Sequence, residues 1–318
     1  ALALVLSEPK PEKGPEPTEL VPAEILADLR AIEVTAGGKT ARVEREGAAW
    51  IVPARFGLPV DIESRLRPLL QSLKSARSLG PLTADPRRLS RLGLEEGGVA
   101  LTSGTGKVWR IQLGRMTDEG AGVAARLPGA TEALRTTFTG LLEGDPANWI
   151  DPVLATFEAP KAVGLTLTFP DGTQLKVTRA KEDAPLEGAA APVLAATEEL
   201  LYSLSTLRAA DAVSLDDVEA KAALAKATVA EVALAGGTRL TVTLGRAPTK
   251  EGEPPRAWMR AAHSDPAAAA NARSAKAIFT CPPWLAEQIP GSVADLAKRG
   301  TPPTPETPAP LQLTPVDR

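Results

Sequence analysis

The chain holds one histidine, His263, and one cysteine, Cys281, so imidazole or thiol chemistry has to run through those two positions. A structural zinc site takes four thiolate or imidazole ligands, which this inventory cannot supply within one chain. An internal disulfide is excluded on the same count. Ser264 and Asp265 follow His263 directly. The members of a catalytic triad approach one another from separate elements, so this run reads as a loop histidine at a strand end. Cys281 stands beside Phe279 without a basic neighbour to activate the thiol, and reads as core. Ser103-Gly104-Thr105-Gly106-Lys107 looks like part of a phosphate loop, but Leu101 occupies the place of the first glycine and Val108 that of the final Ser/Thr. It reads as a hairpin turn. The acidic pairs Glu95-Glu96, Glu198-Glu199 and Asp216-Asp217 are adjacent in sequence, where side chains point apart, so none forms a glycosidase pair. Catalytic, cofactor-binding and metal-binding residues are therefore all left unassigned, and the chain reads as no enzyme.

Binding chemistry has more candidates. Arg115 and Arg246 each follow a Leu-Gly pair at a strand end. Either they contact an anion or a partner's carboxylates, once in each half, or they tie the strand end to a neighbouring carboxylate or carbonyl. Arg87, Arg88 and Arg91 decorate the polar side of a short helix and read as a solvated face. Trp149 and Trp284 follow Asp145-Pro146 and Pro282-Pro283, at loops or helix starts. There they serve either as hot spots for a partner or as lids packed over the core. Trp50 and Trp109 occupy inward strand positions. The partner-contact candidates are thus Arg115, Arg246, Trp149 and Trp284.

The elements that hold these residues follow from periodicity. Alternation around Ala41, Val43 and Trp50, broken at Glu46-Gly47, predicts a hairpin. Asp61 is placed to cap a helix whose stripe is Ile62, Leu66, Leu69, Leu70 and Leu73 and which reaches about Leu79, with Pro68 kinking or delaying it. Asp85-Pro86 opens a short helix that Gly93 stops. A second hairpin turns at Gly104-Thr105-Gly106, followed by a strand near Val123–Leu127 and a segment near Leu134–Leu142. The later half repeats the plan. It has a hairpin about Asp171-Gly172, a helix through Val193–Leu207 and a Ser214/Asp217 capping box. Strands at Thr228–Ala235 and Thr238–Leu244, further strands near Trp258 and Ala277–Cys281, and terminal helices complete it. Strands that pair as hairpins, with helices in separate insertions, predict an α+β fold.

The plan repeats in register as well. Gly38, Val43 and Arg45 coincide with Gly172, Val177 and Arg179. At a slightly shorter offset, Trp109-Arg-Ile111-Gln-Leu113-Gly114-Arg115 falls on Leu240-Thr-Val242-Thr-Leu244-Gly245-Arg246, and Phe138-Thr139 matches Phe279-Thr280 further on. Two tandem repeats of a similar unit, antiparallel hairpins with packed helices, are expected over 23–155 and 156–300. A length of 318 residues suits two such domains.

The ends differ from the body. Ala1–Leu6 is apolar and reads as the remnant of an anchor or signal segment, followed by a proline-rich spacer over Ser7–Pro22. The tail from Thr301 is proline-rich too. With 36 basic and 39 acidic side chains the net charge is −3, which gives no general reason to expect nucleic acid as a partner.

A hairpin ending in Gly47-Ala-Ala-Trp50-Ile-Val-Pro53, Leu58-Pro59-Val60-Asp61 opening a helix, the Leu94 region, and Leu113-Gly114-Arg115 closing a strand together carry a resemblance. The pattern resembles a bacterial domain family of unknown function encoded beside subunits of a gliding-motility-type ABC transporter, present over roughly residues 32–300 as two copies. The second copy departs from it at Lys181, which replaces the hairpin tryptophan. The resemblance implies an extracytoplasmic, periplasmic-side body anchored in the inner membrane by an N-terminal helix. It implies a non-enzymatic accessory role, with membrane ABC transporter subunits or auxiliary proteins as partners. The alternative is a glycan or small-ligand binding module using a cleft between the repeats, lined by Trp149, Trp258 or Trp284.

Overall fold

The computed structural model describes residues 16–117, 122–248 and 252–301. The apolar remnant Ala1–Leu6, the first part of the spacer and the tail beyond Thr301 lie outside the described residues. The chain runs through β1 (Thr18–Glu19), α1 (Ala23–Ala27), β2 (Leu29–Ala36), β3 (Lys39–Glu46), β4 (Ala49–Val52) and β5 (Leu58–Pro59). Next come α2 (Arg67–Ser75), β6 (Arg77–Thr83), α3 (Pro86–Leu89), β7 (Gly97–Ser103), β8 (Val108–Met116), β9 (Val123–Arg126) and β10 (Ala133–Thr136). The later half has β11 (Val153–Thr156), β12 (Ala162–Thr168), β13 (Gln174–Thr178), α4 (Ala191–Ser205), β14 (Thr206–Arg208) and β15 (Asp211–Val213). It continues with α5 (Val218–Leu224), β16 (Thr228–Leu234), β17 (Arg239–Arg246), β18 (Ala257–His263), α6 (Ala269–Ser274), β19 (Ile278–Thr280), α7 (Pro283–Gln288) and α8 (Val293–Arg299). Helices and antiparallel sheets coexist, so the fold is α+β. Among the described residues no helix is long and apolar enough to cross a membrane.

Two compact units divide the chain. The first gathers residues up to 152 together with 209–215 and 275–279, and the second holds the remainder. The expected halves, 23–155 and 156–300, therefore need correction. The first unit closes at Pro152, and it draws in two short segments from the later half. Backbone bonds and a charged cluster fasten one of them: the Ala209 N–H donates to the Pro152 carbonyl at 2.8 Å.

The first unit is built on an antiparallel sheet ordered β1-β6-β10-β9-β8-β7-β2-β3-β4-β5. Period-two alternation puts Ile32, Val34, Ala41, Val43, Val99, Leu101, Ile111 and Leu113 in the core and leaves charged neighbours such as Arg42 and Arg110 outside. The spacer expected through Pro22 ends sooner. Thr18 and Glu19 pair with Ser78 and Arg77, and Leu20 and Val21 are buried, because that apolar pair has hydrophobic surface to cover. Asp61 caps its helix as expected, its Oδ1 accepting the Ser64 N–H at 2.9 Å. Pro68 delays the helix. Without an N–H on Pro68 the first turn takes the wider π spacing over Ile62–Leu66, the Leu66 N–H donating to the Asp61 carbonyl, and α2 follows. It stops at Ser75, short of the expected Leu79, because Arg77 already enters β6. The segment expected over Leu134–Leu142 is a strand only as far as Thr136.

The second unit's own sheet runs β13-β12-β16-β17-β18, antiparallel throughout, with β11 and β14 as a separate pair. The Asp171-Gly172 turn forms as expected, the Asp171 carboxylate accepting the Thr173 N–H at 2.9 Å. The cap of α5 is Asp217, which accepts the Ala220 N–H at 2.8 Å. The expected Ser214 is not the capping residue, because α5 starts at Val218, one place after Asp217. The strand order β13-β12-β16-β17-β18 matches β3-β2-β7-β8-β9 of the first unit element for element.

Candidate functional site

In the first unit, helix α3 decides where the arginines go. Asp85 Oδ1 accepts the Arg87 N–H at 2.9 Å and Pro86 fills the first turn, so the helix starts where the sequence predicts. Its apolar side lays Leu89, with Leu92 beyond, onto Leu94, Ala124 and Ala133. Arg88 and Arg91 are consequently turned to solvent. The chain after α3 folds back over the end of β8, where the Arg115 N–H donates to the Leu92 carbonyl at 2.7 Å. Gly114 permits this approach, since a Cβ there would overlap the Leu92 carbonyl oxygen. Arg115 and Met116 then project from the strand end, Met116 65% exposed. Strand β10, paired to β6 at Thr83↔Ala133, adds Arg135.

The result is a groove of about 570 Å³ lined by Arg88, Arg91, Arg115 and Arg135, with Leu92 and Met116 as apolar wall. Arg115 Nη2 holds Glu96 at 2.9 Å, an exposed pair that contributes little to stability. Guanidinium forks match carboxylates in two-pronged geometry, so the groove suits an acidic ligand. The expected solvated face of Arg88 and Arg91 is one wall of this groove. Arg135 escaped the sequence reading because the four side chains meet only after α3, β8 and β10 are folded together.

In the second unit the corresponding arginine has another task. Arg246 Nη1 donates to the Ile289 carbonyl at 3.1 Å, and Arg299 Nη2 reaches the same oxygen at 3.1 Å while its Nη1 donates to the Gln288 carbonyl. Burial, and then the like charge of Arg246, hold the Arg299 guanidinium below its usual range. Trp284, 43% exposed, borders a pocket of about 360 Å³ with Glu199, Glu287 and Arg299. Arg246 therefore ties the segment between α7 and α8 to its strand end.

Trp149 requires a correction as a partner contact. It is 2% exposed, and its indole N–H donates to the Glu143 carbonyl at 2.8 Å, so the ring belongs to the core. Trp258 is buried as well, with the Arg256 guanidinium 5.3 Å from its ring centre, and neither aromatic is offered to a ligand. Trp50 and Trp109 are half-buried at their strands. Close to Trp149 lies a charged cluster that the sequence did not disclose. Arg55 grips Asp211 through Nε (2.6 Å) and Nη2 (3.1 Å) and stands 3.8 Å from Asp145, which also pairs with Lys39. The Lys39 ammonium, then the Ala147 N–H, hold the Asp145 carboxyl below the usual range. This cluster fastens the 209–215 segment within the first unit.

The two residues with reactive potential are both committed to structure. His263 Nδ1 accepts the Asp265 N–H at 3.0 Å, and Asn271 braces the backbone on either side of the ring. The Ser103–Lys107 run is a hairpin turn, closed by the Ser103 N–H on the Lys107 carbonyl. Cys281 is buried, and burial pushes its thiol up to about 12. The native state thus keeps a proton that the unfolded thiol releases near pH ~8.5. Its contribution is intact below that pH. Above it, stability is expected to fall by up to about 1.4 kcal/mol per pH unit until the native thiol ionises. Unfolding free energies of the wild type and Cys281→Ala at pH 8 and pH 10 check this, with the variant losing less. Equal losses would show that the thiol ionises as easily in the native state.

The family model for a domain of unknown function, DUF4340, matches residues 50–251 in a single span. No curated protein and no solved structure matches the chain.

Proposed function

The chain belongs to the DUF4340 family of domains of unknown function, and on that premise we propose that it is a non-enzymatic accessory protein of a gliding-motility-type ABC transport system. It acts on the extracytoplasmic side through protein–protein contacts, held at the inner membrane by an N-terminal helix. The observation that carries this reading is the arginine groove of the first unit, a concave surface with exposed charge and an exposed methionine. The engagement of His263 and Cys281 in structural roles supports it, since neither is poised as a base or nucleophile.

The body is a tandem duplication. Five strands per unit share one order, and the two glycines of the Leu-Gly-Arg motif make the same approach. Gly114 lies under Leu92 and Gly245 under Ala223, each partner in the second unit 131 residues after its counterpart in the first. Glycines at both places let a short helix close on a strand end.

A benzophenone side chain introduced at Met116 of the full-length protein in native membranes tests the assignment. Light is expected to crosslink it to a membrane subunit of the transporter encoded alongside. Irradiated membranes in which no transporter subunit is captured, from Met116 or from a second probe at Arg88, would overturn it.

A further inference from the structure

We infer that the arginine groove of the first unit is a docking site for an extended peptide segment of a partner protein, one that carries acidic side chains next to an apolar one. The inference deepens the protein-contact reading above and rests on it. The second unit shows what the corresponding place holds. There the strand-end arginine, Arg246, grips the carbonyl of Ile289, Arg299 shares that carbonyl, and the Thr228 hydroxyl donates to the carbonyl of Pro290 at 2.5 Å. A short stretch of the chain's own backbone, running from α7 to α8, thus occupies the arginine's reach.

In the first unit the equivalent Arg115 is in a different state. Its side chain is 67% exposed, its carboxylate partner among the described residues is the equally exposed Glu96, and a groove of about 570 Å³ opens around it. That volume falls within the range of small-ligand sites, about 300–1,000 Å³. The occupant supplied in cis in one unit is to be supplied in trans in the other.

Charge and polarity narrow that occupant. Arg88, on α3, and Arg91, just beyond its end, have no ion-pair partner among the described residues, and Arg115 and Arg135 line the same space. Guanidinium groups in this number select carboxylates or phosphates. The apolar part separates those two. Leu82, Leu92 and the exposed Met116 share the lining, and a bare phosphate has nothing to lay against them, whereas a leucine or isoleucine side chain does. An acidic peptide with one aliphatic residue satisfies both halves of the surface.

The test uses an immobilised array of hexapeptides that carry zero to three Asp or Glu residues around a Leu, an Ile or a Ser, probed with the intact chain. Binding is expected to rise with the acidic count and to be stronger for Leu or Ile than for Ser. The double variant Arg88→Glu/Arg91→Glu, at two exposed positions that carry no core contact, is expected to lose at least about tenfold in bound signal, and raised salt to weaken the wild type in parallel. Met116→Ser is expected to erase the preference for Leu or Ile while leaving the dependence on charge. Binding indifferent to acidic count, or unaltered in the double variant, overturns the site. So does full displacement of the peptides by inorganic phosphate or tripolyphosphate at matched charge, which would make it an anion site. An array that behaves as expected beside an empty crosslinking experiment keeps the groove and removes only the transporter assignment. Transporter capture without charge dependence does the reverse.

Discussion

Trp149→Ala is expected to destabilise the first unit by about 3–5 kcal/mol, while Trp284→Ala costs less than about 1 kcal/mol. The two residues look alike in sequence, each following an Asp-Pro or Pro-Pro pair at the start of a turn. Their surroundings differ completely. Trp149 is 2% exposed, so truncation removes a large ring from a filled space and leaves a cavity behind. The same change strands the Glu143 carbonyl, which accepts the indole N–H. Trp149 also anchors the loop through its backbone, its carbonyl accepting the Asp61 N–H at 2.8 Å beside the start of the π turn before α2. Trp284 is 43% exposed at the rim of a pocket, where alanine uncovers little. Urea unfolding followed by circular dichroism measures both. A Trp149→Ala loss no larger than that of Trp284→Ala would mean the ring is not the packed element described.

The contrast between these tryptophans shows what the sequence carries. Local chemistry was legible. The caps at Asp61 and Asp85 and the turns at Gly104–Gly106 and Asp171-Gly172 are set by a few adjacent residues, and they stand where spacing put them. Even the delay at Pro68 follows from one missing N–H. What depends on distant chain was not legible. Asp145-Pro146 marked a loop or helix start, and the Asp145 carboxylate caps a 3-10 turn over Pro146–Trp149 by accepting the Ala147 N–H, but nothing local says that the turn lies inside the core. The membership of 209–215 in the first unit has no periodic signature, because an ion pair such as Arg55–Asp211 joins residues 156 apart. The arginine groove is hidden for the same reason. Arg88 and Arg91 read as a solvated face on their own helix, and only the closure of α3 on β8 and β10 brings Arg115 and Arg135 opposite them.

Gly114→Ala and Gly245→Ala are each expected to cost about 1–3 kcal/mol, in separate units and for one reason. A Cβ at Gly114 would overlap the Leu92 carbonyl oxygen, and one at Gly245 would come within 2.5 Å of the Ala223 carbonyl. In both places the obstruction is backbone, which cannot rotate aside as a side chain would, so the short helix or the chain just after it has to lift off the strand. In the first unit that lift also stretches the Arg115 N–H bond to Leu92, which shapes the groove. Gly114→Ala should therefore weaken acidic-peptide binding together with stability, whereas Gly245→Ala should lower stability and leave peptide binding intact. The two glycines lie in different units and press on different stretches of backbone, so the losses in the double variant should add within about 0.5 kcal/mol. Calorimetry on the two single variants and the double variant reads the stabilities, and the peptide array reads the binding. Alanine tolerated at one glycine and not at the other would break the structural equivalence on which the proposed duplication rests. Peptide binding lost in Gly245→Ala would place the docking surface elsewhere than the groove beside Arg115.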